Sequence, residues 1–183
     1  MPNVSEIVYL RGKLHWAKVL GDPVDDYDKT GKEWAFDLAL DSDGVRQMNA
    51  LKVQGKPVKN IKDKGDERGE FINFRQRYRE IGDSGKFTQP ITVLDAAGKP
   101  WNQDEKIGNG TVADVKFKVV DYGKGKYAGV YPMAIRVLDH VPYQDQTFAP
   151  LSEDDKFFKS AGEAEAGYQG GFTNEDTEDD IPF

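Results

Sequence analysis

The chain has 183 residues, with 32 Asp+Glu against 25 Lys+Arg for a net charge of −7, and it contains no cysteine. Its length suits one domain of ~150 residues with a real core. The absent cysteines exclude disulfides, a thiolate metal site and a cysteine nucleophile, and no apolar run reaches the ~18 residues of a membrane span.

Met1 leads into Pro2-Asn3-Val4-Ser5-Glu6, which has neither a basic start nor an apolar core. No secretion signal is expected, and the reading is a soluble, cytoplasmic protein with no membrane partner. In chain order, Ile7 to Leu20 alternates apolar and polar residues. Val8, Leu10, Leu14 and Trp16 share one parity, which predicts a long half-buried strand with a bulge or bend at Gly12. Gly21 to Lys32 is a loop. Glu33 to Leu40 alternates again, with Trp34, Phe36, Leu38 and Leu40 inward, as a second strand paired with the first. Asp41-Ser42-Asp43 offers N-caps for a short helix running to about Gln54 and stopping at Gly55.

Lys56 to Arg68 reads as a mobile basic loop. Glu70 to Glu80 is a third strand, placing Phe71, Asn73, Arg75, Arg77 and Arg79 on one face. A short strand at Gln89 to Leu94 and a turn-rich excursion to Gly110 follow. Gly110 to Asp121 is a fourth long strand with Ala113, Val115, Phe117 and Val119 on one side and Lys116 and Lys118 on the other. Tyr122 to Tyr127 is a hairpin turn, and Ala128 to Val141 is the returning strand. The expected fold is all-β and mainly antiparallel: an OB-fold-like barrel of five or six strands with one short helix over residues 1–149. The usual OB-fold sets its helix between strands three and four, so a helix after strand two departs from that pattern.

After Pro142 the periodicity stops. Ser152 to Ala161 is expected to form a turn of helix, and Gly162 to Gly171 a flexible linker. Residues 150–183 hold 10 Asp+Glu against 2 Lys, a net of −8, which leaves 22 acids and 23 bases, a net of +1, in residues 1–149. A near-neutral domain therefore carries a polyanionic segment, expected to be a disordered interaction tail. Its last residues are Glu178-Asp179-Asp180-Ile181-Pro182-Phe183, where an apolar plug follows directly on acids. An exposed Phe183 has no solubility benefit.

That tip resembles the C-terminal tip of bacterial single-stranded DNA-binding proteins. A compact OB-type body with such a tail looks like the single-stranded DNA-binding proteins encoded by bacteriophages. The resemblance implies that the body holds single-stranded DNA without sequence specificity and protects it during replication, recombination or repair. It also implies that Asp179, Asp180, Ile181, Pro182 and Phe183 dock replication or recombination proteins, in the cytoplasm of the host if the protein is phage-encoded.

The residues themselves point to binding more than to catalysis. His15 and His140 are the two histidines, and they show no metal-ligand spacing. The pairs Asp25-Asp26 and Asp154-Asp155 are the remaining metal candidates for a nuclease, and both fall in turn-like or tail segments. No cofactor is expected. Sequence-independent recognition of a single strand needs cations for phosphates and aromatic faces for bases, and two stretches supply both. Lys52 to Arg79 holds 9 Lys+Arg against 4 Asp+Glu; in it Arg75, Arg77 and Arg79 share a strand face with Phe71, spaced ~7 Å apart. The other is the hairpin of Tyr122, Lys124, Lys126 and Tyr127, approached by Lys116 and Lys118. Trp16, Trp34, Phe36 and Phe117 are expected in the core. A protein-interaction adaptor whose tail is the active part is the alternative, and a metal-dependent nuclease is a distant one.

Overall fold

The computed structural model describes residues 4–58 and 61–144. The 150–183 tail, its helical turn, its linker and the Asp179–Phe183 tip lie outside the described residues. The strands run in chain order as β1 (Val4–Lys18), β2 (Val24–Asp25), β3 (Lys32–Ala39), β4 (Lys52–Val53), β5 (Lys56–Pro57), β6 (Lys62–Asp63), β7 (Glu70–Tyr78), β8 (Thr92–Leu94), β9 (Thr111–Asp121) and β10 (Gly129–Asp139). A helix, α1 (Ser42–Ala50), separates β3 from β4.

The main sheet has the order β6-β7-β3-β1-β9-β10-β8, with β2 added to β3 and the β10–β8 pair parallel. β1 is the shared strand. Its first residues pair with β9 (Val8 opposite Phe117, Leu10 opposite Val115), and its later ones pair with β3 (Leu14 opposite Leu38). Because β10 also lies against β7, the five long strands wrap into an OB-like barrel. The period-2 pattern fills its interior: Leu14, Phe36, Leu38, Ile72, Phe74, Val115, Phe117, Val119 and Ile135 are all essentially inaccessible. Phe36 stacks on Phe74 at 5.0 Å, and Phe74 meets Phe117 at 5.2 Å.

Three departures from the alternation matter for the site. Gly12 lies on the line of tightest approach between β1 and β3, where an added Cβ would sit 2.3 Å from the Ala39 carbonyl oxygen. The bulge comes later, between His15 and Lys18, and Trp16 within it has φ of +48°. The expected inward parity is therefore broken: Trp34, Phe36 and Phe117 are buried, but Trp16 is 51% exposed.

The helix begins where its cap predicts. The Asp41 side chain accepts a hydrogen bond from the Gly44 N–H at 2.8 Å, and Met48 is its buried anchor. It stops at Ala50, short of Gln54, because Leu51 turns extended and leads into β4; Gln54 and Gly55, both at positive φ, then turn the chain between β4 and β5. Arg68, expected in a mobile loop, is buried instead.

Candidate nucleic-acid interface

β7 positions the arginines. It pairs with β3 in the register Ala39–Phe71, Asp37–Asn73, Ala35–Arg75 and Glu33–Arg77, so those residues share the sheet face away from the core. Arg75, Arg77 and Arg79 are exposed. Arg75 Nε donates to Asn73 Oδ1 at 2.8 Å and stands 3.8 Å from Glu33 Oε1. Glu33 is buried, and its other carboxylate oxygen has no hydrogen-bond partner. The arginine row therefore has a resident acid beneath it, held loosely.

Phe71 requires a correction. Expected to stand beside the arginines and present its ring to DNA, it is 2% exposed. Its ring is covered by the Arg68 guanidinium, whose Cζ lies 3.9 Å from the ring centroid. β7 is buried on both faces where it starts, because the chain preceding it folds back over the sheet there. Arg68 donates from Nη1 to Asp37 Oδ2 at 2.7 Å and from Nε to Asp66 Oδ1 at 2.8 Å, and Asn73 Nδ2 donates to the other Asp37 oxygen at 2.7 Å. The hydrogen bonds from Arg68 hold the Asp66 carboxyl at about 2, below the usual carboxylate range. Burial lowers the nearby His15. The second face of this guanidinium meets Trp16, 4.1 Å from the ring centroid. Reading Arg68 as loop charge missed this cluster, whose only sequence signal is an Asp66-x-Arg68 spacing.

The two loops flanking the far end of β7 bring in the other candidates. On one side, Asp26 folds its own turn by accepting from the Thr30 N–H at 2.8 Å and from the Thr30 hydroxyl. These bonds, with the positive charge of nearby Arg77, keep its carboxyl below the usual range. Asp26 is thus engaged in its turn, and among the described residues no group of three or more His, Cys, Asp or Glu is arranged to hold a metal ion.

On the other side is the hairpin from Tyr122 to Tyr127. Both tyrosines are exposed, and Tyr122 packs edge-on against Tyr131 at 6.2 Å. The Tyr131 phenol is pushed up to about 12, first by burial and then by the neighbouring Tyr122 hydroxyl, while Arg79 pulls it down. Arg79, just past the end of β7, therefore lies near Tyr131, where β10 runs against β7.

Lys118 sits opposite Tyr131 and Ile7, and Lys116 opposite Tyr9, with the Lys116 ammonium 5.8 Å from the Tyr9 ring centroid. Lys124 and Lys126 project at the tip, where Gly123 and Gly125 take positive φ. The hairpin base is braced from outside. Asp121 accepts from Lys56 Nζ at 2.8 Å and from the Gly123 N–H at 2.8 Å, and the Ala128 N–H donates to the Pro57 carbonyl at 3.1 Å. Periodicity gives no hint of that brace.

No protein-family model matches the chain, and no curated protein matches it. Among solved structures it is similar to gp2.5, a single-stranded DNA-binding protein encoded by bacteriophage T7, at 16% identity and a TM-score of 0.52 over 94% of this chain and 100% of that one. The chain shares its fold with that protein. The single-stranded DNA-binding protein of bacteriophage Enc34, in complex with single-stranded DNA, is 11% identical at a TM-score of 0.49, over 75% of this chain and 89% of that one. In this OB-like barrel, β7 and the β9–β10 hairpin carry the exposed cations and tyrosines described above.

Proposed function

We propose that the protein binds single-stranded DNA without sequence preference and protects it during replication, recombination or repair. The observation that supports this reading is the row of exposed arginines along β7 and just past its end, Arg75, Arg77 and Arg79, whose last member lies near Tyr131 where β10 runs on from the Tyr122–Tyr127 hairpin in an OB-like barrel. Cations alternating with open aromatic faces suit a ligand that presents phosphates and unpaired bases together. A duplex hides its base faces, so open aromatic faces beside cations favour a single strand. In this reading the acidic segment, residues 150–183, competes for the cationic surface and recruits partners through Asp179–Phe183.

The test is binding of fluorescently labelled oligo-dT and of a duplex of equal length, with and without EDTA. Tighter binding of the single strand, insensitive to EDTA and without cleavage, is expected. Preference for the duplex overturns the reading, and metal-dependent cleavage replaces it with the nuclease.

A further inference from the structure

Trp16 is the ring that alternation assigns to the core and the fold holds outside it. Its φ of +48° lies in the left-handed region, which strains a bulky residue and persists only if the surroundings enforce it. Two interactions do so. The Trp16 N–H donates to Asn109 Oδ1 at 2.8 Å, and one side of the indole rests on the Arg68 guanidinium. That guanidinium is itself fixed by Phe71, Asp37 and Asp66. The indole is thus backed by a rigid stack and remains half open to solvent.

The charge around it selects the ligand. Asp37, Asp66 and Glu67 face the cluster, and Arg68 is the cation they surround. Burial keeps His15 toward its neutral form. A phosphate is repelled here, whereas an uncharged planar group is not. Cations begin farther along the same sheet face: Lys18 pairs with Ala35, and Ala35 with Arg75. The small Ala35 side chain leaves the floor between them low, and β1 and β7 lie two strand spacings apart, ~10 Å.

We propose that Trp16 is a nucleobase-stacking platform, extending the single-strand site across β1, β3 and β7 so that a base lies on the indole while phosphates pass over Lys18 and Arg75. This assignment rests on the single-strand reading above and adds to it a residue that neither basic stretch contains. It also gives the bound strand a direction, crossing the strands of the barrel instead of following β7.

The experiment titrates the full-length protein into labelled oligo-dT, following label anisotropy and tryptophan emission together. Base stacking is sequence-tolerant and is worth enough that W16A should weaken binding about 5- to 150-fold. The salt dependence should stay unchanged, because every cation that neutralises a phosphate is still in place. W16F keeps a ring and should retain most of the affinity while losing most of the emission quench, since Trp34 is buried and Trp101 packs on His140. A full quench in W16F, or W16A binding as tightly as the parent, overturns the platform and leaves the basic surface standing. No anisotropy change with the parent protein overturns the single-strand reading and the platform together.

Discussion

Glu33 sets how strongly the arginine row attracts an anion. It is buried opposite Arg77 and 3.8 Å from Arg75 Nε, with one oxygen unpartnered. An incoming phosphate must compete with this loose ion pair, and it meets arginines that otherwise face water. R75A and R77A should each weaken oligo-dT binding and flatten the plot of log K against log[salt] by about 0.7 for each phosphate no longer neutralised, without unfolding a surface strand. E33Q, which keeps the shape and removes the charge, should move affinity the other way. Anisotropy titrations over a range of salt check all three, and an unchanged slope in both arginine variants would place the phosphates elsewhere. A second residue-scale expectation concerns acid. Asp66 is held at about 2 in the folded protein against an ordinary 3.8, so its contribution to stability is present above pH 4 and is lost as pH falls toward 2. Urea midpoints measured down this range should fall more steeply in the parent than in D66N.

At the level of elements, β1 is pinned at Gly12, where it passes closest to β3. Any side chain there forces the strands apart, so G12A should cost about 1–3 kcal/mol by overpacking, visible as a lower urea midpoint with little change in slope. Stability equal to the parent would show that β1 has room to shift. Much of this architecture is legible in the sequence because alternation has a single physical cause, one buried face. Phe36, Phe117, Val115 and Val119 fall on the expected sides, and Asp41 caps the helix as its residue type implies. Legibility fails where both faces are covered or the backbone leaves the pleat. Phe71 and Arg68 are buried by chain that folds over the outer face of β7, which strand periodicity does not encode. Trp16 has the correct parity for burial, but the bulge after His15 reverses it. The hairpin and β7 are each readable as basic and aromatic. That β10 runs against β7 is set by barrel closure, a long-range packing contact with no local signature.

On the scale of the whole molecule, charge is divided by sequence position, with a net of −8 in residues 150–183 and +1 in the rest. A tethered polyanion acts as a local competitor for any cationic surface, most strongly where salt is dilute. Truncation after Ala149 should therefore tighten oligo-dT binding, with the gain shrinking as salt rises. Deleting Phe183 alone leaves the acidic side chains in place and should barely alter DNA affinity, while loss of captured replication or recombination proteins in a pull-down would tie docking to that ring. Equal effects of the two changes on DNA binding would reduce the tail to charge alone.

The main sheet ends in very short strands: β6 has two residues at one edge and β8 three at the other. An edge that short offers few free backbone donors and acceptors to a neighbour's edge. A protein that coats a long strand places many copies of itself shoulder to shoulder, at local concentrations far above those in bulk solution. Open edges would then act as zippers and lock the coat into an irreversible fibre. If the protein coats single strands as proposed, blunt edges would let adjacent copies touch through side chains and separate again, so that the coat could be stripped when the strand is needed.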